Sequence, residues 1–360
     1  MVSGNRRRRD RLRSLDPGGP SGSKPCAPLI RVASLLSFTD WLQARGVAIE
    51  PLLNRAGIDA HLLNYPAAAV PLKKSFHFAE LACCATGSEH MGLFVGLETS
   101  LDTLGRYGQI LQSAETLGQY LREGVSLYNL ISVGQSLQLQ TAGEHCILKV
   151  VGATDPTVGA YQSHLQILAI TIGRVRQAAG PGWSPPFVTL AYSSREPLPS
   201  TDLFSATRVD SGGKETWMAI PQSLLALQLP RRADPEPDAA EPLTGQPLQD
   251  DPVARISAQV AALLPEPSLT VDRVASSLGL STRTLQRELA KRGVSFTQVI
   301  SDARMTRATE WLRRTDKSVL EIALEIGYTD ASNFTRAFRR RAGFSPRDYR
   351  EAISANRVQT

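Results

Sequence analysis

Large apolar side chains return every three or four positions through much of this chain, and the places where that rhythm changes mark its divisions. Leu35, Leu36, Phe38, Trp41 and Leu42, then Leu52, Leu53, Ala56 and Ile58, follow helical spacing, with Gly46 and Gly57 where helix C-caps would stand. The same rhythm predicts helices over Leu72–Thr86, Thr103–Gln112 and Thr116–Tyr128, the last opened by Ser113 or Thr116. The period then falls to two. Gln135–Thr141 alternates through Leu137 and Leu139, and Cys146–Val151 follows across Ala142-Gly143-Glu144-His145, which predicts a hairpin. Tyr161–Gln177 returns to an amphipathic helix through Leu165, Leu168, Ile172 and Val175. Val188–Tyr192 predicts a strand, and Thr207–Asp210 with Thr216–Ile220 a second hairpin around Gly212-Gly213. Together these elements predict one α+β domain over residues 29–229.

The rhythm fails in two places. Residues 230–252 hold six prolines among 23 positions and almost no large apolar side chain, so they predict an extended, semi-rigid linker. Residues 1–28 combine Arg6-Arg7-Arg8-Arg9 with a Pro/Gly/Ser run and predict a disordered basic tail. That tail reads either as an arm for DNA phosphates or, more plainly, as a flexible end or a misassigned start.

Beyond the linker the helical period returns and predicts seven helices in residues 253–360. They are Val253–Leu264, Val271–Leu278, Thr282–Lys291, Phe296–Arg314, Val319–Ile326, Ala331–Arg341 and a last one opened by Ser345-Pro346 and holding Tyr349. Two joints share one grammar. Ala323 is followed four residues later by Gly327, then Tyr328 and a polar run in which Asp330 can cap a helix. Ala275, Gly279, Leu280 and Ser281 repeat this 48 residues upstream. A small Ala lets two helices cross closely, Gly supplies positive φ in the turn, and an acceptor caps the next helix: a helix-turn-helix, twice. The long helix between them buries Phe296, Val299, Ile300, Ala303, Ala308, Trp311 and Leu312 on one face.

Charge sharpens this picture. Residues 253–360 carry 18 Lys/Arg against 11 Asp/Glu and residues 1–28 seven against two, whereas 29–229 carry 13 against 15 and 230–252 two against six. A cationic C-terminal region on a near-neutral body points to nucleic acid for the former and a separate task for the latter. No apolar run approaches a membrane span, and the Arg-rich start lacks a signal-peptide core, which predicts a cytoplasmic protein. Cys26, Cys83, Cys84 and Cys146 form no CxxC or Cys/His spacing, and the five histidines no HExxH. With no GxSxG, GxxxxGK[ST] or GxGxxG either, no catalytic, metal or cofactor site is expected.

Several of these residues together resemble the AraC/XylS family of bacterial transcription regulators. They are Leu285-x-Arg287, Arg304-Met305-x-x-Ala308-x-x-x-Leu312, Ile322-Ala323-x-x-x-Gly327-Tyr328-x-Asp330, Phe334-x-Arg336-x-Phe338 and Gly343-Phe344-Ser345-Pro346-x-x-Tyr349-Arg350. Leu289 departs from the Phe common there but stays apolar. Residues 30–229 are similar to an effector-binding and dimerisation region of one branch, at Leu53-x-x-Ala56-Gly57-Ile58, Val70-Pro71-Leu72, Leu104-Gly105-x-Tyr107-Gly108 and Leu203-Phe204. That branch is often labelled arabinose-binding by inheritance, which is no evidence for arabinose, and its helix-first order argues against an all-β barrel. The resemblance implies an α+β N-terminal sensor domain followed by an all-α C-terminal domain with two helix-turn-helix motifs. It also implies a homodimer that binds double-stranded promoter DNA, answers to a small-molecule effector and works with RNA polymerase.

On that reading, outward residues near the start of each second helix meet base edges: Arg283, Gln286 and Arg287 in the first motif, Ser332, Asn333 and Arg336 in the second. Lys291, Arg339 and Arg340 are placed for phosphates. Arg304, beside the seam of the connecting helix, is expected to form a buried ion pair. Effector-contacting residues are unassigned; Trp183, Tyr107 and Phe94 are candidates only as aromatics, for which core packing is the simpler account. The alternative is a regulator whose N-terminal domain is catalytic or a thiol-redox sensor using Cys83-Cys84 or Cys146.

Overall fold

The computed structural model describes residues 27–152, 157–194, 198–199, 202–230, 247–266 and 269–357, so most of the expected tail and linker lies outside the described residues. The N-terminal part opens with strand β1 (Leu29–Arg31), helix α1 (Ala33–Gln43) and α2 (Ile49–Ala56), which ends on Gly57 at φ +71°. Strand β2 (Ala69–Pro71) runs directly into α3 (Leu72–Thr86), followed by α4 (Met91–Glu98), α5 (Gly105–Ser113) and α6 (Leu117–Ser126). Thr116 caps α6 by accepting from Gln119 N–H. After β3 (Ser132–Val133) come the expected hairpin β4 (Gln135–Ala142) and β5 (His145–Gly152), then α7 (Val158–Ala179), β6 (Phe187–Leu190), β7 (Arg208–Ser211) and β8 (Thr216–Pro221). All seven expected C-terminal helices form: α8 (Pro252–Ala262), α9 (Val271–Ser277), α10 (Thr282–Lys291), α11 (Phe296–Arg314), α12 (Val319–Glu325), α13 (Ala331–Ala342) and α14 (Pro346–Arg357).

Besides the short strands β1, β2 and β3, two features depart from the sequence reading. The strands β7 and β8 are not a hairpin: the sheet order is β4-β5-β8-β6-β7, with β6 lying between them and paired in parallel to β7. Gly213 N–H donates to Leu190 O at 3.0 Å, and a Cβ there would meet Thr189 Cγ2 at 2.6 Å. The double glycine thus lets the chain cross the end of β6, a close approach that only a residue without a side chain permits. The other departure is α4, whose Gly92 and Gly96 weaken its helical signal. They are there for packing: a Cβ on Gly92 would lie 2.0 Å from Gln162 O, and one on Gly96 2.6 Å from Ala169 Cβ. Gln162, fully buried, accepts from Gly92 N–H and donates to Glu89 O, locking α4 onto α7.

A three-stranded sheet, β2-β1-β3, joins the two parts of the chain. Its edge strand β2 meets the C-terminal helices. Gln259 of α8 accepts from Ala69 N–H at 2.7 Å and donates to Ala69 O at 3.1 Å and to Ser277 Oγ at 2.8 Å. Around this clamp Arg255 donates to Ala27 O, Arg273 reaches Asp59 and the buried Glu266, and Gly279 packs against Pro71. The last stretch before α8 is also held, with Leu248 buried and its N–H bonded to Asn129 O. One hydrophobic core consequently runs from Leu29 through the N-terminal part into Ile256, Leu285 and Val299, while a second, around Trp311, Phe334 and Phe338, belongs to α11–α14 alone.

Burial also fixes a pH response. Thr216 Oγ1 accepts from Ala191 N–H and shares a hydrogen bond with His164 Nδ1 at 2.9 Å, and desolvation lowers the imidazole from 6.5 to about 4. The unfolded chain therefore takes up a proton near pH 6.5 that the folded chain refuses until about pH 4. Stability is full above that window and falls through it as pH drops, by on the order of 3 kcal/mol. Thermal melts from pH 7 to 4 should show this slope, and His164→Gln should flatten it; an unchanged slope in the variant would assign it elsewhere.

Candidate nucleic-acid interface

Both C-terminal joints are built by the same hydrogen bonds. In the first, Leu280 N–H donates to Ala275 O at 2.8 Å and Gly279 N–H to Ser276 O at 3.0 Å; in the second, Tyr328 donates to Ala323 O at 2.9 Å and Gly327 to Leu324 O at 3.0 Å. Gly279 and Gly327 sit at φ +67° and +82°, and Ala275 and Ala323 are buried where the helices cross. Ser281 then caps α10 by accepting from Thr284 N–H, and Asp330 caps α13 by accepting from Asn333 N–H at 2.7 Å. The Asp330 carboxyl is held below its usual range, first by that backbone N–H. The helix before the second joint carries a full capping box, Ser318 with Glu321.

The helix that follows each turn buries one stripe and presents the other. Leu285 and Leu289 of α10 face the core, as do Phe334 and Phe338 of α13. Arg283, Gln286, Arg287 and Lys291 are exposed on α10, and Ser332, Asn333, Arg336, Arg339 and Arg340 on α13. The two surfaces are prepared differently. On α10, Glu288 sits amid the cations, with Lys291 Nζ at 2.8 Å from both its oxygens and Arg287 Nε at 3.6 Å. On α13 a relay runs from the cap: Asn333 Nδ2 donates to Asp330 at 2.5 Å, and Arg336 donates to Asn333 Oδ1 at 2.6 Å. Tyr328, Thr329, Asn333, Arg336 and Arg340 line an open concavity of about 570 Å³ there.

Among the described residues Arg304 forms no ion pair. Its guanidinium donates to Gly327 O at 2.9 Å and stacks 4.8 Å over the Tyr328 ring, so it braces the second turn from behind. A neutral carbonyl replaces the expected carboxylate because the turn itself leaves Gly327 O without a helical partner. Thr329, exposed at the concavity, has no counterpart in the sequence reading, since a turn residue carries no periodic signal. Arg273 and Arg292, equally basic in sequence, are engaged by Asp59 and Glu266 and by Asp251.

Elsewhere the chemistry is quiet. Burial pushes the Cys83 thiol up to about 12 and raises Cys146 as well, which removes thiolate character from both. Among the described residues no cluster of three His, Cys, Asp or Glu side chains is arranged to hold a metal, and no helix is long and apolar enough to cross a membrane.

Residues 46–229 match the family model described as the arabinose-binding domain of AraC transcription regulator, N-terminal, and residues 274–352 that of a helix-turn-helix domain. The ornithine utilization regulator of Pseudomonas aeruginosa is 25% identical over 340 residues, covering 91% of this chain and 97% of that protein. VirS of Mycobacterium tuberculosis is 25% identical over 333 residues, covering 89% and 96%. Among solved structures, the transcriptional regulator CdpR of Pseudomonas aeruginosa aligns at TM-score 0.39 and 18% identity over 89% of this chain and 98% of that one.

Proposed function

The chain belongs to the AraC family of transcription regulators, and from that premise we propose that each protomer reads two successive major-groove segments under control of a small molecule held in its N-terminal domain. One observation carries the first half: the same hydrogen-bonded turn occurs once before and once after α11 in the chain, each time followed by a helix with an exposed polar first turn. The 19 residues of α11 span about 28 Å at about 1.5 Å each, near the roughly 34 Å between successive grooves on one face. Arg283, Gln286 and Arg287, and Ser332, Asn333 and Arg336, then meet base edges, where Arg grips guanine and Gln or Asn grips adenine. Lys291, Arg339 and Arg340 take phosphates, which set affinity and its salt dependence but not sequence preference.

Control by an effector is supported by the clamp at Ala69. The strand held by Gln259 is the edge of the sheet that β1 completes, so a change of packing beneath β1 reaches α8 and α9 through paired backbone. A small molecule that binds two placements of this joint unequally would shift their population. We take residues 29–229 as the sensing domain, 230–252 as the linker and 253–360 as the DNA-binding domain of a homodimer acting with RNA polymerase. Cys83 and Cys146 are buried with raised thiols, which disfavours them as redox sensors, while Cys84 is exposed.

The experiment is Arg287→Ala on a duplex that the protein itself selects from random sequence. Specific affinity should fall by roughly 1–3 kcal/mol and preference should relax at one position. Unchanged affinity and preference would remove α10 from the groove.

A further inference from the structure

The N-terminal domain holds a partly open cavity between α1, α3, α5, α6, α7 and the inner face of β4 and β5. Counted with the solvent at its mouth, its free space is about 900 Å³, yet only about 70 Å³ is far enough from every atom to take the centre of a water molecule. It is a slot, suited to a slender or flat occupant. Its walls are apolar, with Ile30, Phe38, Phe76, Leu137 and Leu148 among them, and no Asp, Glu, Lys, Arg or His contributes among the described residues. Tyr107, of the three aromatics singled out by type, lies in this wall; Phe94 and Trp183 do not.

The polar groups of the slot divide into two kinds. Most are already satisfied: Tyr107 donates to Gly124 O at 2.8 Å, Tyr128 to Gln135 Oε1 at 3.0 Å and Thr171 to Ile167 O at 2.8 Å. Burial raises the phenols of Tyr107, Tyr120 and Tyr128, so none supplies a negative charge. Two are left over. Ser34 and Gln166 line the slot, both more than nine-tenths buried, and Ser34 Oγ and Gln166 Nε2 have no hydrogen-bond partner. An amide N–H donates only, and a buried donor without an acceptor is costly.

We propose that this slot is the effector site, and that its ligand is a neutral, mainly apolar molecule with one hydrogen-bond acceptor, such as a carbonyl, that receives from Gln166 Nε2 and Ser34 Oγ. The identification as effector site rests on the effector-controlled reading above; the chemical class rests on the slot alone. A carboxylate or an amine would be buried without a counter-charge, and a sugar would bring more hydroxyls than the slot can satisfy. The matched model's name, arabinose-binding, therefore does not describe what this chain holds. Ser34 lies in the first turn of the helix that follows β1, and Ile30 of β1 lies in the slot wall opposite Val70 of β2. The occupant sits one strand away from the residue that Gln259 grips.

The test titrates the full-length protein with 2-octanone, acetophenone, n-octane, octanoate at pH 8 and L-arabinose by calorimetry, with DNA affinity measured in parallel. One or both ketones should bind at least tenfold tighter than octane and octanoate, and arabinose should give no heat. Gln166→Leu should bring ketone and alkane to within about threefold of each other while still binding octane, which separates a lost donor from a misfolded domain. Binding of arabinose or octanoate in preference to both ketones, or no binding of either ketone at millimolar concentration, would overturn the ligand class. So would a ketone preference that survives Gln166→Leu. Ketone binding that leaves DNA affinity unchanged would uphold the ligand class and remove effector control instead.

Discussion

Replacing Arg287 and Arg336 together by Ala should relax sequence preference at two positions of the site while leaving the protein folded and still attracted to DNA. Each guanidinium is exposed midway along its helix, each is expected to contribute roughly 1–3 kcal/mol of discrimination, and they belong to separate helices with separate buried anchors. Distant sites add, so the pair should lose roughly 2–6 kcal/mol of specific affinity. Arg336 carries a further consequence. It is held by Asn333, which is held by Asp330, so its removal also frees Asn333 to reorient. Binding to a shuffled duplex at the same salt should change far less, because Lys291, Arg339 and Arg340 remain to meet phosphates. A mobility-shift comparison of selected and shuffled duplexes reads both quantities; equal losses on the two would make these arginines phosphate contacts.

Gln259→Ala should be the most damaging single change away from the DNA surface. The amide closes both backbone groups of Ala69 and the Ser277 hydroxyl, all in a buried joint. Its removal leaves two buried backbone groups without partners, a loss of roughly 2–5 kcal/mol. The injury should be local. Hydrogen exchange at Ala69 and Val70 should accelerate, while α13, whose core around Phe334 and Phe338 is independent, should keep its protection. Uniform acceleration over the whole chain would mean that the amide stabilises the fold generally and couples nothing. On the reading above, the variant should also lose effector-dependent DNA binding.

The C-terminal half was legible because its signals are local. Ser281, Asp330, Gly279 and Gly327 each fix a turn or a cap within four residues, and the buried stripes of α10 and α13 repeat at helical spacing. The small sheet was not, because strands of two or three residues such as β1 and β3 are shorter than one reading of their own period. The strand crossing at Gly212-Gly213 was read as a hairpin because both geometries ask for the same glycines; what separates them is β6, about 20 residues earlier. The clamp is more distant still. Gln259 and Ala69 stand 190 residues apart, and a lone Gln on an amphipathic helix looks like any solvated polar residue. The slot was invisible for a related reason: Ser34 and Gln166 differ from ordinary core polar residues only in what they fail to touch.

The central claim is that one protomer spans two consecutive turns of groove through a helix that cannot stretch. It is tested most directly by inserting five base pairs between the two segments of a selected site, which turns the second segment to the opposite face of the duplex at about 10 base pairs per turn. Affinity should fall to that of a duplex carrying one segment, and protection in a hydroxyl-radical footprint should shrink to a single groove. Undiminished affinity for the five-base-pair insertion, with both segments still protected, would contradict the account.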